Sequence, residues 1–213
     1  MSKLDLNKYK NPSVKWISKC DLPTKNGFFT LHCFYDESNK QEHLALVMGT
    51  VANTESLLVR VHSECLTGEA LASLRCDCGP QLEYAMNKIK EAGAGMIIYL
   101  RQEGRGIGLL NKVRAYSLQD EGLDTIEANM ALGFPSDARE YQAAVDILVF
   151  FEVSSPIRLL SNNPNKALAL VEQGISVSEV LPIVVGLCEE NKKYIETKTK
   201  RMGHNFYAGD NND

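Results

Sequence analysis

The chain has 213 residues, 44% of them hydrophobic and 23% charged, with a formal net charge of −4. That length suits one domain with a sizeable core, and a mild acidic excess speaks against a general nucleic-acid or membrane-surface binder, which needs a basic surplus. No apolar run approaches the roughly 18 residues of a membrane span, and the opening MSKLDLNKYKNPS has no apolar stretch like that of a signal peptide. A cytoplasmic protein is expected. In a reducing compartment, close-set cysteines point to metal or catalysis rather than to a disulfide.

In chain order, residues 1–12 and 205–213 are polar and read as loosely ordered ends around one domain over 13–204. SVKWISKC, GFFTLHCFY, EHLALVMGTV and ESLLVRVHSEC are short runs rich in β-branched and aromatic residues, separated by turn material, and read as strands. From Gly79 the period changes. PQLEYAMNKIKEAG places Leu82, Ala85, Met86 and Ile89 at helical spacing and stops at Gly93. AGMIIYL reads as a buried strand and LLNKVRAYSLQDEG as a helix; a further helix is expected from Ala138, with Ser136 or Asp137 as its N-cap. PIRLLS is a strand, NKALALVEQG a helix, ISVSEVLPIVVG extended, and EENKKYIETKTKRMG a last helix. A β-rich N-terminal section followed by alternating strands and helices predicts a mixed α/β (α+β) domain.

Three of the six cysteines, Cys65, Cys76 and Cys78, fall within fourteen positions as C-x10-C-x-C. A Cys-x-Cys turn can aim two sulfurs at one point and a third can come from the preceding element, which suits zinc. Cys20, Cys33 and Cys188 are distant in sequence, and three ligands without an obvious fourth is the pattern of a catalytic zinc that leaves a position for water. The competing reading is three small buried residues. Arg75, Asp77 and Gly79 around them suggest a polar turn rather than a core stretch.

YLRQEGRGIGLLNK (99–112) is a strand running into Gly104, Gly106 and Gly108 before a helix, with Arg101, Arg105 and Lys112 adding positive charge, so a phosphate group fits. Neither G-x4-G-K-[ST] nor G-x-G-x-x-G is present; Asp124, about twenty residues on, is weak support for a dinucleotide fold. A plain strand-to-helix turn explains the glycines equally well. SNNPNK (161–166) likewise suits a phosphate or a cap with a turn. Several of these stretches follow strands, where α/β proteins place ligand sites.

Together, RVHSECLTGEALASLRCDCGPQLEYA, RQEGRGIGLLNKVRAYSLQDEGLDTIEAN, LGF…DARE, LLSNNPNK and the terminal TKTKRMGH resemble GTP cyclohydrolase II over roughly residues 14–204. The likeness is to the stand-alone form, without the dihydroxybutanone-phosphate synthase domain of bifunctional relatives. It implies that GTP and three waters give formate, pyrophosphate and 2,5-diamino-6-(5-phosphoribosylamino)pyrimidin-4(3H)-one, at the start of riboflavin synthesis. It implies zinc on Cys65, Cys76 and Cys78 to activate water for attack at C8 of guanine, and Tyr116 as a proton-transfer or orienting group. It implies magnesium on the GTP phosphates, with Asp137 as proton acceptor and Arg139 as nucleophile or, less demandingly for a guanidinium, as electrostatic stabiliser at phosphorus. GTP contacts carry over to Arg60, Val61, His62, Ser63, Glu64, Gln81, Glu103, Gly104, Arg105, Thr125, Ser161 and Lys166. Glu103 is the expected reader of guanine, and Ser161 stands where the family usually has threonine. A homodimer is implied, with no nucleic-acid or membrane partner. A relative that stops at the ring-opened formamide, a non-catalytic purine-nucleotide binder and a structural-zinc interaction protein are the alternatives.

Overall fold

The computed structural model describes residues 12–206. In chain order the elements are β1 (Val14–Thr24), β2 (Gly27–Asp36), β3 (Gln41–Met48), β4 (Leu58–Ser63), α1 (Leu66–Glu69), α2 (Cys78–Ala92), β5 (Gly95–Leu100), α3 (Gly108–Asp120), α4 (Thr125–Ala131), α5 (Gln142–Phe150), β6 (Ile157–Leu160), α6 (Pro164–Glu172), β7 (Val177–Leu181) and α7 (Lys192–Met202), with short 3-10 turns at Glu103–Gly106 and Glu189–Asn191. The expected loose ends at 1–11 and 207–213 lie outside the described residues. Asn205 and Phe206 do not fit the expectation of a loose tail: Asn205 N–H donates to the Asn162 carbonyl at 3.0 Å, and Phe206 stacks with His204.

All seven strands form one sheet in the order β1-β2-β3-β5-β4-β6-β7. Its first half is antiparallel through β1, β2, β3 and β5; its second half is parallel through β5, β4, β6 and β7. The change of periodicity near Gly79 falls after β4, which already belongs to the parallel half. Hairpins built the first half, and helices crossing between strands built the second.

Strand alternation sorts residues between two faces. Met96, Ile98 and Leu100 of β5 join Val59 and Val61 of β4 under α5, whose Ala144, Val145, Ile147 and Leu148 are fully buried. Ile97 and Leu58 face the other way, against Ala85 and Ile89 of α2. Arg60 and His62 share parity with Leu58, so the same alternation turns two polar side chains towards the α2 side of the sheet.

Two expectations change. The helix expected from Ala138 starts at Gln142, and neither Ser136 nor Asp137 caps it. Asp137 instead turns its carboxylate onto Arg139, and the Ala138 N–H is taken by the Arg105 carbonyl at 3.0 Å. Asp124 is the N-cap of α4, accepting from Ile126 N and Glu127 N in a capping box, which removes the dinucleotide reading of that residue.

Gly95 opens β5 where α2 crosses it. A Cβ there would sit 2.7 Å from the Leu58 carbonyl oxygen and 2.9 Å from Ile89 Cγ1. Gly95→Ala is therefore expected to destabilise the fold by about 1–3 kcal/mol through overpacking. A lowered urea midpoint at unchanged m-value is the expected reading, and an unchanged midpoint would show that the α2–β5 contact gives way freely.

Candidate active site

The carboxyl ends of β4, β5 and β6 open into one cleft enclosing roughly 950 Å³, part of it open to solvent. β4 delivers Arg60, His62, Ser63, Glu64 and Cys65; the segment after β5 delivers Glu103, Gly104 and Arg105; the end of β6 and α6 deliver Ser161 and Lys166. Cys76, Cys78, Gln81, Tyr116, Thr125 and Arg139 complete the expected lining. Two expected residues stand apart. The Val61 side chain packs in the α5 core, and only its carbonyl takes part, accepting from Lys166 Nζ at 2.9 Å. Asp137 does not line the cleft and is bonded to Arg139, which does. Arg101 points away, paired with Glu64 and Glu42.

The three sulfurs lie within 4.8 Å of one another, the single cluster of three or more metal-ligand side chains among the described residues. Cys65 Sγ and Cys76 Sγ are 3.5 Å apart, near the spacing of about 3.8 Å that a tetrahedron with Zn–S bonds of about 2.3 Å requires. Gly68 leaves the space: a Cβ there would meet Cys76 Sγ at 2.7 Å and Cys65 Sγ at 3.3 Å. Hydrogen bonds from Cys76 and Cys78, reinforced by the Lys112 ammonium 3.1 Å away, pull the Cys65 thiol well below its ordinary range. The hydrogen bond to Cys65 pushes Cys76 up to about 11. The donor set, its spacing and its ready thiolate fit zinc, with no fourth cysteine, histidine or carboxylate in the group.

Buried carboxylates hold this cluster. Glu69 accepts from Cys65 N (2.8 Å), is 2.8 Å from His62 Nε2, and takes the Tyr99 hydroxyl at 2.5 Å. Glu103, expected to read guanine, lines the cleft and accepts from Leu66 N, Gly104 N and Lys112 Nζ at 2.6, 2.9 and 2.8 Å. Three of its roughly four acceptor sites are thus used within the protein. Asp77, expected in a polar turn, is completely buried; it accepts from Lys198 Nζ at 2.8 Å and Gln81 Nε2 at 2.6 Å. Gln81 in turn accepts from Arg60 Nη2 at 2.7 Å, and Arg60 Nη1 reaches the Leu160 carbonyl at 2.9 Å. The Tyr116 ring lies under the Arg75 guanidinium (4.4 Å), and burial raises its hydroxyl above the ordinary range, so it stays protonated.

The second group is cationic. Arg139 is bound to Asp137 through Nη2–Oδ2 at 2.5 Å and Nε–Oδ1 at 2.8 Å. Burial works against both charges, but the pair outweighs it: Asp137 is held below the usual carboxylate range and Arg139 above the usual guanidinium range. Lys166 is 4% exposed and its ammonium donates to the Val61 carbonyl; burial followed by the Arg60 charge pushes it well down. Arg105 adopts φ +62°, a left-handed conformation that costs an arginine about 1 kcal/mol or more. Ser63 Oγ, Arg105 Nη2, Asn129 Nδ2, Asn163 Nδ2 and His204 Nε2 all belong to cleft residues and are buried without a hydrogen-bond partner among the described residues. Orphaned polar atoms concentrated around one cleft mark a place built for a polar ligand. Sequence reasoning missed Asn129, Tyr194, Lys198 and His204; the motif TKTKRMGH carried the last two, but nothing local ties α7 to the cysteines.

Comparison with known proteins agrees with this geometry. The sequence matches the family profile of GTP cyclohydrolase II over residues 15–182. It is 53% identical over 188 residues to the GTP cyclohydrolase-2 of Neisseria meningitidis, spanning 88% of this chain and 94% of that relative. It is 53% identical over 192 residues to the GTP cyclohydrolase-2 of Pseudomonas aeruginosa, spanning 90% and 93%. Among solved structures, a two-domain 3,4-dihydroxy-2-butanone 4-phosphate synthase from A. baumannii aligns at TM-score 0.44 and 20% identity, over 83% of this chain and 41% of that one. A profile match across most of the chain, and half its residues shared with relatives of nearly equal extent, establish that the chain belongs to the GTP cyclohydrolase II family.

Proposed function

We propose that this chain hydrolyses GTP to 2,5-diamino-6-(5-phosphoribosylamino)pyrimidin-4(3H)-one, formate and pyrophosphate, the first committed step of riboflavin synthesis. One observation carries the reading: a three-thiol cluster and the basic side chains of Arg105, Arg139 and Lys166 share a single cleft. The reaction makes two different demands, opening an imidazole ring and cleaving a phosphoanhydride, and the two groups of side chains suit one each.

Zinc bound to Cys65, Cys76 and Cys78 would supply Lewis-acid activation of water near neutral pH. Tyr116, kept protonated by burial, is a hydroxyl donor that orients or protonates the opening ring. Arg105, Arg139 and Lys166 stabilise charge on the transferring phosphoryl group. Because Asp137 holds Arg139 protonated, its guanidinium has no lone pair for attack on phosphorus and serves as fixed positive charge. Asp137, held ionised well below neutrality, is a weak base; its first task is to aim Arg139. Magnesium arrives with the GTP phosphates. No helix among the described residues is long and apolar enough to cross a membrane; we place the enzyme in the cytoplasm as a homodimer, both following the family likeness.

Zinc-loaded protein given GTP and magnesium is expected to release formate and pyrophosphate in equal amounts with the pyrimidine. Absence of turnover refutes the reading, and formamide without formate would mean that hydrolysis stops one step early. Cys78→Ser is expected to lose both zinc, measured by metal analysis, and formate release; a variant retaining both would overturn the ligand assignment. Arg139→Ala is expected to lower kcat by about 10²–10³-fold, while Arg139→Lys, which keeps the charge but loses the two-point pairing with Asp137, falls between alanine and the parent. A lysine variant equal to the parent would show that charge alone suffices, and one as inactive as alanine would show that the step needs the planar, two-point guanidinium.

A further inference from the structure

The turn after α7 enters the cleft without a role in the reading above. Gly203 caps α7 at φ +65°, and the His204 N–H donates to the Lys198 carbonyl at 3.1 Å. The Asn205 N–H then bonds the Asn162 carbonyl at 3.0 Å, tying this turn to the loop that carries Ser161 and Lys166. The imidazole of His204 stacks on Phe206 at 6.1 Å with planes 18° apart, so its direction is set. Nε2 is buried with no partner among the described residues.

Four cations act on this ring: Lys198, Arg139, Arg105 and Lys166. Lys198 is paired with Asp77, and Arg139 with Asp137. Arg105 has no carboxylate within salt-bridge distance among the described residues, which leaves a guanidinium charge uncompensated there, and Lys166 lines the same cleft with no carboxylate partner among them either. Burial, then these charges, push His204 down to about 2, so the imidazole is neutral. A neutral ring with one orphaned nitrogen, in a cleft that also holds the uncompensated Arg105 guanidinium, is suited to a multiply charged oxyanion as neighbour.

We propose that His204 is a further substrate-binding residue, donating a hydrogen bond from Nε2–H to the triphosphate of GTP. The turn after α7 thereby closes the phosphate end of the cleft, and α7 is held there by Lys198 on Asp77 and by Arg201 on Asp124 and Glu127. This rests on the GTP reading, but binding can be measured without turnover.

The test uses the zinc-loaded full chain and two probes, inorganic tripolyphosphate and guanosine, titrated by calorimetry. His204→Ala is expected to weaken tripolyphosphate about tenfold, the size of a lost hydrogen bond to a charged group, and to leave guanosine unchanged. His204→Gln, with an amide donor of similar reach, recovers part of the loss. In the parent protein labelled with 15N-histidine, tripolyphosphate should shift the His204 ring nitrogens and guanosine should not. Equal tripolyphosphate affinity in parent and His204→Ala, a parallel loss for guanosine, an unmoved His204 signal or a parent that binds no tripolyphosphate each overturns the proposal. A protein that binds tripolyphosphate through His204 yet releases no formate would refute the activity and leave this inference standing.

Discussion

A carboxylate with no exposed surface, Asp77, lies between two of the three clustered cysteines, and much of the site hangs from it. One oxygen takes Lys198 from α7 and the other takes Gln81 from α2, which passes the connection to Arg60 on β4 and so to the Leu160 carbonyl at the end of β6. An ionised group cannot stay buried without partners. A buried ion pair contributes little net stability compared with an apolar replacement, yet losing one partner strands the other at about 3–5 kcal/mol. What this arrangement supplies is direction. The backbone between Cys76 and Cys78 can turn only in ways that keep Asp77 in contact with Lys198 and Gln81, and that restriction aims the two sulfurs.

Glu69 and Glu103 extend the same principle to Cys65. Glu69 holds the Cys65 N–H while meeting His62 and Tyr99, whose rings stack at 5.6 Å on the α2 side of the sheet. Glu103 holds the next N–H, at Leu66, and anchors Lys112 beside the Cys65 sulfur. The segment that sequence reasoning read as a phosphate loop is thus partly a clamp on the cysteine cluster. Its Arg105 remains available to a ligand because the strained backbone there is over-determined: its carbonyl accepts from Ala138 N, while Gln102 holds both the N–H and the carbonyl of Glu140.

The strands and longer helices were legible because period 2 and period 3.6 are local signals, and the thiol cluster was legible because its ligands lie within fourteen positions. Failures came where the deciding partner is remote, or where a neighbour competes for the same atoms. Asp77 looked like a solvated turn residue because Lys198, 121 positions away, is what permits its burial. Asp137 looked like an N-cap because capping depends on residue type, whereas its actual partner Arg139 competes for the same oxygens. Local pattern singled out Arg105 and Lys166 separately, but not their meeting in one cleft, since β4, the segment after β5, α6 and α7 converge only in three dimensions. α1, four residues long and without a side-chain cap, carries too little pattern to be read at all.

The division of the sheet explains why the chemistry sits where it does. In the parallel half, β4, β5 and β6 all end at the same edge, so the segments that follow them meet there: Glu64–Cys65, Gln102–Arg105 and Ser161–Lys166. The antiparallel half cannot do this, because successive strands end at opposite edges. Its contribution is to make β5 interior. β3 pairs along one edge of β5 and β4 along the other, while α5 covers one face and α2 the other. A strand enclosed on both edges and both faces leaves its outgoing chain little freedom, and it is that outgoing chain which places Glu103 against Lys112 and Arg105 in the cleft. The hairpins at the start of the sequence supply no side chain to the site, yet they keep β5 from being an edge strand.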